Sequence, residues 1–139
     1  MQKSKQLAIF AFGINLKTHP IQSDMITKET IGKATVISFT GINKLNVTAT
    51  QKVKADVVAS ITQQSNIVLD LSNIIYIDST GFGMLLSMLR HCKHNEATLK
   101  LCNISPEVME LIKLLQLQHV FDIKETVQDC IDSNSNLIG

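Results

Sequence analysis

Asn66-Ile67-Val68-Leu69-Asp70-Leu71-Ser72-Asn73-Ile74-Ile75-Tyr76-Ile77-Asp78-Ser79-Thr80-Gly81-Phe82-Gly83-Met84-Leu85-Leu86-Ser87-Met88-Leu89 decides the reading of this chain. Ile67 to Leu71 is short and nearly all apolar, as expected of a central strand covered on both faces. A second apolar run, Ile74 to Ile77, closes on Asp78-Ser79-Thr80-Gly81-Phe82-Gly83, and a strongly apolar helical stretch follows. Two hydroxyls therefore stand beside a carboxylate where a strand becomes a helix. Adding or removing a phosphate there would change the surface charge sharply.

Outward from that stretch, hydrophobic periodicity alternates between two and about 3.6, the mark of strands interleaved with helices in an α/β layer fold. Val36-Ile37-Ser38-Phe39 is β-branched and aromatic and stops at Gly41. It predicts a strand over 33–40, preceded by an edge strand near 25–30. Val53, Val57, Val58 and Ile61 recur at helical spacing, which predicts a first helix over 47–62 with Asn46 or Thr48 as its N-cap. Leu99 to Cys102 reads as a further strand. Ser105-Pro106-Glu107 then supplies a capping hydroxyl, a proline at the first helical position and an acid in the first turn. Val108, Leu111, Ile112 and Leu115 form the apolar stripe of that third helix, Val120 to Ile123 a final short strand, and Glu125 to Asp132 a terminal helix, with 133–139 fraying.

On the second helix, Phe82, Leu85, Leu86 and Leu89 share an arc that should face the sheet. Met84 and Met88 lie well round from its centre. They predict either an exposed, adaptable strip beside Ser79 suited to a partner that binds and releases, or a surface covered by the N-terminal segment or the last helix.

The chain has 139 residues, enough for one domain with a real core and too few for a two-domain enzyme. Thirteen basic residues nearly cancel twelve acidic ones, with one Tyr and no Trp. Neither an electrostatic footprint nor a stacking platform for nucleic acid is present. Cys92, Cys102 and Cys130 are odd in number and lack CxxC spacing, which suits a reducing compartment, the cytoplasm. Lys3 and Lys5 before Leu7 to Phe12 faintly imitate a signal peptide, but the run is short and has no small-residue cleavage site. No apolar stretch approaches the roughly 20 residues needed to span a bilayer. The segment before Met25 is instead expected to be an extra strand or an arm broken at His19-Pro20, unless Met25 is the biological start.

Catalytic and metal chemistry find little support. Gly81-Phe82-Gly83 lacks the rest of a dinucleotide or P-loop fingerprint. His91, Cys92, His94 and Cys102 match no zinc spacing, and adjacent helical residues point some 100° apart. Asp70 and Asp78 lack the acidic cluster and lysine of a phospho-receiver. Neither a metal nor a cofactor is expected.

Ile67 through Phe121 resembles the STAS domain of bacterial anti-sigma factor antagonists. The resemblance rests on Asp70-Leu71-Ser72, Ile77-Asp78-Ser79-Thr80-Gly81-Phe82-Gly83, the leucine-rich helix, Leu99-Lys100-Leu101, Ser105-Pro106-Glu107-Val108 and Leu117 to Phe121, with weaker agreement back to Met25. It implies an α/β fold, a mixed sheet of four to five strands packed against about four helices. On this basis 1–24 is an extension, 25–133 the STAS domain and 134–139 a tail. The resemblance further implies a non-enzymatic module phosphorylated at Ser79 (or Thr80) by an anti-sigma factor serine/threonine kinase and restored by a PP2C-like phosphatase. The unphosphorylated form would bind the kinase and release a sigma factor. Asp78 and Gly81 would support the phosphosite, and Lys44, Asn46, Phe82, Met84 and Met88 would meet the partner.

Two readings stay open. Ser79 or Thr80 could serve only as an N-cap, with Gly81 and Gly83 giving room for helix–sheet packing. The domain would then be an unphosphorylated scaffold subunit of a transport, lipid-trafficking or stress-signalling complex. The loop Gly41-Ile42-Asn43-Lys44-Leu45-Asn46 departs from the family, which often carries an acid there. Self-association is also conceivable. Deleting residues 1–24 is expected to leave a folded protein, checked by circular dichroism and a cooperative melt; an aggregating truncation would refute the boundary.

Overall fold

The computed structural model describes residues 24–136, so the expectations for the arm before Asp24 and for the last three residues lie outside them. In chain order the elements are β1 (Ile26–Ile31), β2 (Ala34–Phe39), β3 (Lys44–Leu45), α1 (Val47–Ala59), β4 (Asn66–Asp70), β5 (Tyr76–Ile77), α2 (Ser79–His94), β6 (Thr98–Cys102), α3 (Pro106–Leu114), β7 (Asp122–Ile123) and α4 (Val127–Asn136). Five strands form a mixed sheet in the order β1-β2-β4-β6-β7. β1 runs antiparallel to β2, and the remaining neighbours are parallel. This is the mixed sheet with helices that the resemblance implied.

The pleat sends alternate residues to opposite faces, and the two faces are built differently. Ile37, Phe39, Ile67, Leu69, Leu99 and Leu101 point to one side, where they join Val53 and Val57 of α1, Leu85 and Met88 of α2, and Val108 and Ile112 of α3 in the main core. Ala34, Val36, Val68 and Cys102 point to the other, where α4 covers them through Cys130, Val127 and Ile131. β4 is buried on both faces, which explains its unbroken apolar reading. β1 is the polar edge, with Thr27 to Thr30 exposed. Lys100, on the α4 face, is buried, and its ammonium pairs with Asp122 at 3.2 Å across the β6–β7 register.

Several boundaries differ from the sequence reading. Helix α1 stops at Ala59 rather than 62, because Ser60 and Ile61 donate to carbonyls three residues back, tightening the last turn and turning Ile61 inward. Only Tyr76–Ile77 of the second apolar run is a strand, and it pairs with β3 as a separate parallel ribbon. The final strand shrinks to Asp122–Ile123, and helix α4 continues past Asp132 through Asn136.

The larger correction concerns α2. Met84 is 1% exposed and Met88 0%, so no methionine strip faces solvent. The last helix does not cover them, since it packs on the opposite face; among the described residues α1 packs along α2, and both methionines share a cluster with Val53 and Val57, while covering by the arm lies outside the described residues. The buried arc centres on Gly81, Leu85, Met88 and Cys92, while Leu86 and Leu89 are only partly buried. The helix is thus turned roughly 70° from the arc its leucines suggested. Met88→Ala is expected to cost about 2–5 kcal/mol in urea unfolding, as a core cavity would; a loss below about 0.5 kcal/mol would mean the side chain is not core.

Candidate functional site

The turn into α2 is fixed by three backbone devices. Asp78 is the N-cap, in extended conformation, and its Oδ1 accepts from Gly81 N–H at 3.0 Å. Neither Ser79 nor Thr80 caps the helix, which corrects that expectation. Asp78 N–H in turn donates to the Leu45 carbonyl at 3.1 Å, and Ile75 N–H donates to Asn43 at 2.8 Å, so the β3–β5 ribbon anchors the helix start. Gly81 lies directly against this ribbon. A Cβ there would collide with the Leu45 carbonyl and come within 2.6 Å of the Ile77 side chain.

These constraints send Ser79 outward. It is the first residue of α2 and is exposed; Thr80 beside it is half-buried. Among the described residues no hydrogen bond engages the Ser79 hydroxyl, whereas the Asp78 carboxylate is committed to the cap. The first helical N–H groups of α2 present partial positive charge at this point. Asp70 works elsewhere: its Oδ1 accepts from Ser72 N–H and from Asn103 Nδ2, both at 3.0 Å, tying the end of β4 to the end of β6. The two carboxylates therefore organise separate turns.

A shallow apolar groove of about 500 Å³ opens beside Ser79, between the start of α2 and the end of α3. Its lining includes Tyr76, Ser79, Phe82, Gly83, Leu86, Leu111, Leu114 and Leu115. Tyr76 is 45% exposed, Leu114 78% and Leu115 51%, so large apolar side chains surround a phosphorylatable hydroxyl. These residues, not Met84 and Met88, form the apolar surface next to Ser79. Phe82 is buried and supplies part of the groove's floor. Leu115, expected in the core stripe of α3, is instead the half-exposed C-cap of that helix. A sequence signal for the groove existed: Leu114, Leu115 and Leu117 crowd three leucines into four positions, more than one stripe can bury. Tyr76 carried no comparable signal.

On the other side of the ribbon, Lys44 is exposed and stands opposite Tyr76 in register. Asn46 is half-buried, and its Oδ1 caps α1 by accepting from Ala49 N–H at 3.0 Å. The residues weighed for zinc are apart. Cys92 belongs to the main core and Cys102 to the α4 face, with the sheet between them, and His91 Nδ1 bonds the Ser87 carbonyl at 2.8 Å. Among the described residues no group of three or more such side chains could hold a metal ion, and no helix is long and apolar enough to cross a membrane.

A mixed sheet with three helices on one face, one on the other and a serine at the exposed start of the second helix defines a small α/β domain. The chain belongs to the STAS domain family, which matches residues 25–130. A STAS-domain containing protein of Pseudomonas aeruginosa is 38% identical over 56 residues, which covers 40% of this chain and 55% of that relative, so the match spans about half the relative's length. Among solved structures, an anti-sigma-factor antagonist STAS domain protein from Planctomyces limnophilus aligns with TM-score 0.71 and 19% identity over 78% of this chain and 96% of that one. The Bacillus cell fate determinant SpoIIAA in its phosphorylated form aligns with TM-score 0.57 and 21% identity over 78% and 97%. Anti-sigma factor antagonists are thus its structural neighbours.

Gly81 and Gly83, two residues apart on α2, should respond oppositely to alanine. Gly81→Ala is expected to lose about 1–3 kcal/mol by overpacking against Leu45 and Ile77. Gly83→Ala meets open space and should gain about 0.5–1 kcal/mol from helix propensity. Chemical denaturation of both variants checks the pair, and equal effects would refute the close approach at Gly81.

Proposed function

We propose that this domain is an anti-sigma factor antagonist whose docking to a serine/threonine kinase is switched by phosphorylation at Ser79, in the cytoplasm. The observation that carries this reading is an exposed, uncommitted hydroxyl at the first position of α2, on the rim of an apolar groove. Unmodified, the groove and Tyr76, Leu114 and Leu115 offer the kinase a desolvatable surface. A PP2C-like phosphatase would restore that state after phosphorylation. The phosphorylated SpoIIAA structure among the similar folds fits this assignment.

The electrostatics support a local switch. A phosphoryl group brings about −1.5 to −2 charges and lands beside the Asp78 carboxylate and the apolar rim. Docking would then require dehydrating that charge against leucines, or meeting it with a cation. The helix N-terminus can hold the phosphate without unfolding the domain. A hundredfold weakening needs only about 2.7 kcal/mol, within the range of one buried repulsion at an interface. Lys44, in the loop where family members often carry an acid, favours a partner with a neutral or acidic counterpart at that point.

Incubation with ATP and the serine kinase encoded nearest the gene, followed by mass-spectrometric mapping, is expected to place phosphate on Ser79 rather than the half-buried Thr80. Ser79→Asp should weaken kinase binding by about tenfold or more, with Ser79→Ala within about twofold of the native protein by calorimetry. Equal affinities for the two variants, or an active kinase that labels neither hydroxyl, would favour the constitutive scaffold.

A further inference from the structure

Face two of the sheet holds chemistry that the phosphorylation switch does not use. Cys102, the last residue of β6, and Cys130, in the middle of α4, are both fully buried in one small cluster with Ala34, Val36 and Val68. They come from elements that pack directly on each other. Lys100 lies two residues before Cys102 on the same face of β6, buried, so a cation sits in the same layer.

We propose that Cys102 and Cys130 are a redox-responsive pair that closes to an intramolecular disulfide under peroxide and ties α4 to β6.

The protonation pattern fits an ordered reaction. The neighbouring Cys102 thiol and the Lys100 and Lys124 ammonium groups hold the Cys130 thiol below the usual thiol range, against burial and the Asp122 carboxylate. Cys102 is pushed up, first by its hydrogen bond to Cys130 and then by burial. Cys130 is thus the more acidic thiol of the pair. The Cys130 thiolate attacks one oxygen of hydrogen peroxide and breaks the O–O bond, leaving Cys130 sulfenic acid and a hydroxide that is protonated to water. The Cys102 sulfur then displaces the sulfenic oxygen, forming the S–S bond, and its own proton leaves with that oxygen in a second water. Two thiols lose two protons and two electrons, and one peroxide becomes two waters.

Access comes through α4. This helix holds the sheet by Val127, Cys130 and Ile131, a narrow stripe, so a small displacement of α4 that admits one peroxide molecule keeps Cys130 within reach of Cys102 and leaves the main core undisturbed. Cys92 is excluded from the pair by position. It lies in the main core across the sheet, and burial pushes its thiol up to about 11. Because the pair occupies the face opposite the main core, to which Phe82 of the groove belongs, closure should change stability rather than kinase docking, and the inference stands whether or not Ser79 is phosphorylated.

The full chain, reduced and then treated with hydrogen peroxide, is expected to lose two hydrogens in intact mass. Non-reducing peptide mapping should link Cys102 to Cys130 with Cys92 free. The melting temperature should rise by about 5 °C or more and return on adding dithiothreitol. Cys92→Ala should keep the linkage, and Cys130→Ser and Cys102→Ser should each abolish it. A peptide linked through Cys92, disulfides only between chains, peroxide-treated protein with both thiols still free, or a linked form that melts lower would each overturn the proposal. If either serine variant fails to fold, the native and Cys92→Ala maps decide it alone.

Discussion

The close approach of α2 to the Leu45 carbonyl organises this end of the molecule. That single oxygen accepts the Asp78 N–H and lies where any side chain at position 81 would have to go. Glycine at 81 is therefore a contact requirement, not a matter of backbone freedom, because the residue is helical. With the first turn pressed against the β3–β5 ribbon and Asp78 spent on the cap, residue 79 can only face outward. The exposed serine is thus a consequence of packing one turn of helix onto two residues of strand.

The same contact determines which side of α2 is core. Turning Gly81 toward the ribbon swings Leu85, Met88 and Cys92 inward, and Met84 is buried in the same core, with α1 packed against α2. Leu86 is left at the margin, where it lines the groove. The exposed apolar surface next to Ser79 is then built from the end of α3 and from β5, elements distant in sequence. On the proposed reading, a phosphate on Ser79 and a partner's apolar side chain would compete for one small area, so a switch there would need no movement of the sheet. The opposite face, under α4, is a separate and smaller layer with its own charge pair and thiols.

Much of this was readable from local patterns. Ser105-Pro106-Glu107 announced α3, and the structure places Ser105 Oγ as acceptor of Val108 N–H at 3.2 Å. Asn46 announced the start of α1 in the same way. Both are short-range devices in which the capping atom and its partner are three residues apart, so the sequence contains the whole interaction. The methionine strip failed because a helical wheel reports which residues share a side, not which side meets a neighbour. Leu115 failed for a related reason: α3 ends at Leu114, and the stripe cannot be continued past the last turn.

The amino-acid order by itself determined the alternation of strands and helices, the caps of α1 and α3, and a hydroxyl-bearing turn at the head of α2, since each depends on interactions within a few residues. Only the tertiary structure decided that the methionines are core, that Tyr76, Leu114 and Leu115 gather beside Ser79, and that Cys102 and Cys130 share one buried cluster. Those facts depend on contacts between segments far apart along the chain, and side-chain periodicity holds no information about which distant surface will fill the space above it.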